Sequence, residues 1–262
     1  MNIARKLATI LIIMLSLGSF AKADTWSVPK EKLTYDVMYK WGLIHKKAGS
    51  VSLTTNVGSG STFNSKLTGA TASWADKFYK VRDTLTGTID RHTFLPLKYD
   101  KVSYEGGDFS HDNLQFSRSG NTTTAKVVRR TKGKKETSIT TDHKELEATG
   151  TTLDMLSSFY YMRCLDYSSM KKGQTVKLNV FSGRQKEILT IHYDGEVNID
   201  IKGKSYPTYH ITFTFTSKNG TKTSDNMDAW ISTTSSRIPL LMEGKLPVGK
   251  IRCFYSGAIP AQ

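Results

Sequence analysis

The stretch Thr152-Leu153-Asp154-Met155-Leu156-Ser157-Ser158-Phe159-Tyr160-Tyr161-Met162-Arg163 decides how the chain is read. It is the one convincing helical pattern in a sequence that otherwise reads as alternating strands and turns. At about 100° per residue, Leu153, Met155, Leu156, Phe159, Tyr160, Met162 and the following Cys164 share one broad apolar arc. Asp154, Ser157, Ser158 and Tyr161 fall on the narrower opposite side. Thr151 or Thr152 is placed to cap the N-terminus, and Asp154 sits in the first turn, where the helix dipole favours an anion. So wide an arc predicts a helix covered by a sheet on most of its surface.

Outward from this helix the chain is strand-like on both sides. Leu33, Tyr35, Val37, Tyr39 and Trp41 recur every second residue, the mark of a half-buried strand. Gly49, Val51 and Leu53 begin its partner, and Phe63 to Leu67 continues the meander. Ala72 to Tyr79, with Trp74 and Phe78 four apart, reads as a short helix or wide turn. Leu95, Leu97 and Tyr99 alternate, but past Asp100-Lys101 the apolar positions slip to Val102 and Tyr104, which predicts a bulge. Leu114–Phe116 and Ala125–Val127 flank a hairpin at Ser119-Gly120-Asn121. Beyond the helix, Val176 to Val180 opens a second run. Leu189–Tyr193 and Val197–Ile201 are joined at Asp194-Gly195. Tyr209, Ile211, Phe213 and Phe215 form the clearest strand, Asn219-Gly220 reads as a hairpin turn, and Lys250–Tyr255 closes the sheet.

Sequential antiparallel strands this numerous must curl to bury one face. The expected fold is therefore mostly β: a strongly curved antiparallel sheet, half-barrel or open barrel, around one central helix, Thr152 to Arg163. Two β lobes with the helix at their junction is the competing architecture. One β-rich domain, 24–262, is expected, made of two meanders at about 24–145 and 174–262.

The N-terminus carries an export pattern. Arg5 and Lys6 precede an apolar run, Leu7 to Phe20, and Ala21-Lys22-Ala23 is a small-x-small cleavage site. A run this short falls below the roughly 20 residues of a membrane span. Cleavage after Ala23 is expected, and no cysteine follows to make a lipoprotein. The compartment would be the periplasm of a Gram-negative bacterium, or its exterior. Without Arg5, Lys6 and Lys22 the chain keeps 34 basic against 23 acidic residues. That excess favours anionic envelope glycans or membrane surfaces as partners, and export argues against nucleic acid. Two cysteines in an oxidising compartment suggest one disulfide, Cys164 to Cys253, from helix to last strand; two buried thiols are the alternative.

Residues for chemistry are sparse. His45, His92, His111, His143, His192 and His210 are scattered without ligand spacing, so no metal is expected. No nucleophile elbow, Walker loop or dinucleotide fingerprint occurs, and no catalytic residue or cofactor is assigned. Arg129, Arg130, Lys132, Lys134 and Lys135 form the densest basic run, either a solvated hairpin tip or an anion-binding loop. Arg163 is the anomaly, since it falls in the middle of the apolar arc. A guanidinium there must snorkel, pair with an acid, or meet a ligand's anionic group. With Phe159, Tyr160, Trp41 and Trp230 it could form an amphiphile site, although core packing and a helix C-terminal cation explain the same residues.

Several segments resemble a known family in order along the chain. They are Leu33-Thr34-Tyr35-Asp36-Val37-Met38-Tyr39-Lys40-Trp41-Gly42-Leu43-Ile44 with Lys47-Ala48-Gly49, then Val81-Arg82-Asp83-Thr84-Leu85, Phe94-Leu95-Pro96-Leu97 and Tyr104-Glu105-Gly106. Phe159 to Arg163 follows, then Trp230 through Arg237 to Pro239, with Val248-Gly249 beyond. The series resembles an exported bacterial family catalogued as domain of unknown function 3108, over nearly all of the chain after the leader. The resemblance implies a periplasmic or outer-envelope β protein and transfers no activity. The Trp…Arg-x-Pro end is also similar, at the level of fold, to lipoprotein-carrier and sigma-regulator half-barrels, which cover an apolar cavity with helices.

The leading expectation is a non-enzymatic envelope protein binding a lipid or other apolar or amphiphilic ligand within its curved sheet, with Arg163 near the headgroup. A binding module for acidic polysaccharide or an envelope protein, acting through the basic loops, is the second. An envelope hydrolase is the third, and two close carboxylates in a polar cleft would favour it.

Overall fold

The computed structural model describes residues 26–217, 223–246 and 248–259; the expected signal peptide and the Asn219-Gly220 turn lie outside them. In chain order the strands are β1 Glu31–Trp41, β2 Ile44–Val57, β3 Thr62–Thr71, β4 Val81–Asp90, β5 Pro96–Glu105, β6 Asp108–Ser119, β7 Thr122–Lys132, β8 Thr140–Thr149 and β9 Thr152–Asp154. After the central helix come β10 Thr175–Ser182, β11 Gln185–Ile201, β12 Lys204–Ser217, β13 Met227–Ser232, β14 Pro239–Lys245 and β15 Lys250–Tyr255. Helix α1 is Ser73–Asp76 and helix α2 is Met155–Cys164.

All 15 strands belong to one sheet, in the order β8 to β1 and then β15 down to β9. The joint is β1 against β15, with Tyr35 opposite Tyr255 and Lys40 opposite Lys250. Two meanders thus become one nearly closed barrel, which decides against separate lobes. Every pairing is antiparallel except β9 with β10. At the seam the unpaired edge of β8 is met by side chains instead of a ladder. Asn179 Nδ2 donates to Thr149 O at 2.9 Å, Lys144 Nζ to Arg184 O at 3.1 Å, and Lys186 Nζ to Glu147 O, while Arg184 pairs with Asp142. Charged residues on an edge also discourage pairing with another chain.

Helix α2 starts three residues later than its periodicity suggests. Thr152–Asp154 is extended, lying parallel to Asn179–Phe181, and Asp154 is the cap itself, not a first-turn residue. Its Oδ1 accepts from the N–H groups of Leu156 at 2.7 Å and Ser157 at 2.6 Å, while Ser157 Oγ accepts from Asp154 N at 2.8 Å. This reciprocal capping box satisfies donors that a helix end otherwise leaves open. The helix is enclosed on its polar side as well, since Ser157 and Ser158 are buried along with Leu156 and Tyr160. Tyr160 Oη lies 2.6 Å from both Thr55 Oγ1 and Ser65 Oγ, tying the helix to β2 and β3.

The helix divides the interior into two cores. One gathers Leu33, Leu53, Phe63, Ile89, Leu114 and Val127 of the first meander around Leu156 and Tyr160. The other gathers Leu178, Leu189, Ile191, Ile211 and Ile231 of the second around Leu153 and Met162. Two local expectations are corrected. The slip at Asp100-Lys101 is no bulge; the irregularity lies between Thr88 and Ile89 and leaves Leu97 out of the ladder. Asp194-Gly195 is a bulge within the continuous β11, made possible by a φ of +102° at Gly195.

The bridge expected between Cys164 and Cys253 is not formed; both are free thiols. They touch the same core but have different neighbours, Cys164 near Tyr167 and Arg237 and Cys253 near Tyr35. Burial pushes Cys164 up to about 12 and Cys253 up to about 11, so neither offers much thiolate at neutral pH. Titration with a thiol reagent should find both thiols reactive only after unfolding and without added reductant. A chain that needs reductant first would restore the disulfide.

Candidate functional site

The residues predicted to form a site part company in the structure. Arg163 is fully buried and engaged by its own chain. Its Nη1 donates to Glu31 Oε1 at 2.6 Å and its Nη2 to Glu31 Oε2 at 3.3 Å. Nε donates to Arg237 O and Nη2 to Ser236 O, each at 2.9 Å. The rings of Trp26, Phe159 and Tyr160 surround the guanidinium at 4.8, 5.6 and 6.0 Å. The helix C-terminus, the start of β1 and the β13–β14 connection are therefore joined at one charge. Trp41 and Trp230 lie elsewhere: Trp41 is exposed at the end of β1, and Trp230 stacks on His210 at 4.7 Å.

A second group of polar side chains lies inside the barrel. In an antiparallel sheet, residues directly opposite one another share a face. Leu53, Leu67, Leu85, Lys101, Asp112 and Arg129 make one such row across β2 to β7. Leu33 and Leu53 are core, so Lys101, Asp112 and Arg129 also face inward. One pleat further toward the β5–β6 turn the inward row holds Asp83 and Ser103, and the next holds Glu105. The interior thus changes from apolar to charged as it approaches one end, the end carrying the β1–β2, β5–β6, β7–β8 and β14–β15 turns.

This mouth is tightly wired. Ser103 Oγ lies 2.6 Å from Asp83 Oδ1 and 2.7 Å from Glu105 Oε1. One hydroxyl carries one hydrogen and donates to one carboxylate, so an equally short contact on the other side calls for a proton on that carboxyl. Burial raises the carboxyl of Asp83, whereas the Ser103 hydroxyl lowers that of Glu105. A proton shared at this site therefore favours Asp83 over Glu105. Lys101 Nζ stands 3.7 Å from Glu105 and 4.0 Å from Asp83. Deeper in, Arg129 Nη1 is 3.4 Å from the buried Asp112. Of the basic run, Arg129 thus points inward and Arg130 outward, and Lys134 and Lys135 are exposed beyond the end of β7.

Sequence reasoning missed the mouth, although a signal was present. The apolar positions after Asp100-Lys101 change phase because Val102 and Tyr104 face outward and the inward places pass to Lys101, Ser103 and Glu105. Two segments of the family-like series, Val81–Leu85 and Tyr104–Gly106, supply Asp83 and Glu105. A separate groove of about 540 Å³ crosses the outer face of β1 to β5, lined by Thr34, Ser52, Thr68 and Thr84. These alternate with the inward leucines, and toward the mouth end the groove also borders Asp83 and Tyr104. Among the described residues no cluster of histidine, cysteine and carboxylate side chains suits a metal ion, and no helix is long and apolar enough to cross a membrane.

A family model described as protein of unknown function (DUF3108) matches residues 34–254. Among solved structures, the chain is similar to a beta-barrel-like protein of domain of unknown function DUF1849 from Brucella abortus. That match has a TM-score of 0.56 at 10% identity and covers 86% of this chain and 94% of the other. At that identity the likeness concerns the fold alone. No curated protein matches the sequence.

Proposed function

The chain belongs to the DUF3108 family, and we propose that it is a non-enzymatic binding protein of the cell envelope that takes the polar head of an amphiphile into the charged mouth of its barrel. The observation that carries this reading is the change of the inward rows from leucine to Lys101, Asp83, Ser103, Glu105, Asp112 and Arg129 at one end. A barrel that only needed a core would continue the apolar rows, because burying charge costs free energy unless a partner offsets it. Acid and base alternate there, which suits a headgroup with both donors and acceptors. Arg163, sealed by Glu31, has a positioning role in this reading, holding helix α2 within the barrel.

Mass spectrometry of an organic extract of the exported protein tests the proposal. A stoichiometric amphiphile is expected in the wild type and is expected to be lost in Lys101→Met, with the melting temperature almost unchanged because partly exposed ion pairs contribute about 1 kcal/mol or less. Empty extracts from the wild type, or equal loading of the variant, would count against it.

One observation favours a second reading, a hydrolase. Asp83 and Glu105 share a hydroxyl and are pushed apart in proton affinity, the condition for assigning one as acid and the other as base. Turnover of a glycan or ester substrate abolished by both Asp83→Asn and Glu105→Gln would replace binding with catalysis.

A further inference from the structure

The turns around the mouth end carry large apolar side chains that the fold leaves uncovered. The β1–β2 turn presents Trp41, Leu43 and Ile44, with Leu43 fully exposed. The β14–β15 turn presents Leu246 and Val248, and the α1–β4 connection presents Phe78 and Tyr79, Phe78 being 83% exposed.

These three tips form one crest. Lys40 opposite Lys250 sets the β14–β15 turn beside the β1–β2 turn, and Tyr39 Oη donates to Val248 O at 3.1 Å. Gly249, with a φ of +79°, lies so close to β1 that a Cβ there would stand 2.4 Å from Lys40 O. On the other flank Trp74 Nε1 donates to Lys47 O at 2.7 Å, Lys46 Nζ sits 4.6 Å over the Trp74 ring, and Trp74 packs edge-on against Phe78 at 6.3 Å.

A basic collar surrounds the crest. Lys40, Lys46, Lys77, Lys80 and Lys245 lie in or beside these tips. Among the described residues no carboxylate is within ion-pair distance of any of them. Of the acids nearby, Asp36 is paired with Lys47, Asp76 with Arg82, Glu243 with Lys250 and Arg252, and Glu105 with Lys101, while Asp108, close to Tyr79, accepts from the Lys134 N–H.

We infer that this end of the barrel docks on an anionic phospholipid bilayer, with Trp41, Leu43, Ile44 and Phe78 entering the headgroup boundary and the lysines resting on the lipid charges. The chemistry fits that partner better than a protein face. The apolar groups project in twos and threes from separate turn tips instead of lying along one strand or helix face. Amphipathic tryptophan and tyrosine settle at a bilayer interface, and each lysine near an anionic surface strengthens binding roughly fivefold. The inference goes beyond the proposed ligand site, since it uses none of the mouth residues.

Co-sedimentation of the exported protein with vesicles tests it, comparing phosphatidylcholine alone with an equal mixture of phosphatidylcholine and phosphatidylglycerol. Binding is expected only to the anionic vesicles and should weaken with salt. Leu43→Asp and Phe78→Asp should each weaken it about tenfold or more; both sites are exposed, so melting temperatures should stay the same. Replacing Lys40, Lys77, Lys80 and Lys245 by Gln should remove most of the salt dependence. Failure of the wild type to bind, equal binding to neutral vesicles, or binding indifferent to the tip variants would overturn the inference. The ligand proposal would stand or fall separately, on the Lys101→Met extract.

Discussion

Replacing Arg163 by Met is expected to destabilise the fold by about 3–5 kcal/mol, the usual cost of removing one partner from a buried ion pair. The loss is not of one bond. Glu31 would keep a carboxylate whose side chain is only 12% exposed, and the carbonyls of Ser236 and Arg237 would lose their donors. These groups belong to the first strand, the helix and the β13–β14 connection, so the defect would loosen the helix and both meanders together. In a domain of this size the melting temperature should fall by on the order of 10 °C. Urea unfolding of Arg163→Met, Glu31→Met and the double variant separates the contributions. The double variant should recover a large part of the loss, because with both charges gone nothing ionised is left stranded. If Arg163→Met were as stable as the wild type, the charge would be free for a partner outside the chain, and the expectation of a headgroup at Arg163 would regain its footing.

That contrast shows how far the sequence reaches. The helical wheel singles out Arg163, because a guanidinium amid Leu156, Phe159 and Tyr160 demands an explanation wherever the helix lies. The explanation is Glu31, 132 residues away, and no local pattern links the two. Strand alternation fares well for the same reason: a period of two is a local property, so Leu33 and Tyr35, and Tyr209 to Phe215, announce their inward faces directly, although the alternation runs on to Trp41, which is exposed. The start of α2 is misread because Thr152 and Leu153 suit a helix by periodicity but find hydrogen bonds as a strand against Asn179 and Val180, a partner the sequence does not announce. The mouth is misread because an inward face was assumed to be apolar. When Lys101, Ser103 and Glu105 take the inward positions, alternation persists while hydrophobicity changes sides, and the pattern mimics a bulge.

Asp154→Asn is expected to raise stability at neutral pH, an unusual outcome for a substitution at a helix cap. Burial is the largest influence on the Asp154 carboxyl and pushes it up to about 6, against the opposing pull of its bonds from the Ser157 and Leu156 N–H groups and the charge of Arg118. Its Oδ2 is buried without a hydrogen-bond partner. With the ordinary value at 3.8, the folded chain keeps a proton that the unfolded chain releases between about pH 4 and pH 6. Stability from this group is therefore complete below about pH 4 and declines as pH rises through that window. Above about pH 6 the group has lost about 3 kcal/mol relative to the acid side. Asparagine cannot ionise, yet it retains an oxygen where Oδ1 accepts from Leu156 and Ser157, so the cap survives. The variant and the wild type should be equally stable near pH 4, and the variant should lead by about 1–3 kcal/mol at pH 7, somewhat less than the full loss because an unpartnered amide N–H₂ replaces Oδ2. The difference between the two urea curves, measured at several pH values, isolates this one carboxyl from every other titrating group. A variant less stable than the wild type at pH 7 would mean that the helix dipole and the capping bonds outweigh desolvation, and that Asp154 is held as a carboxylate inside the barrel.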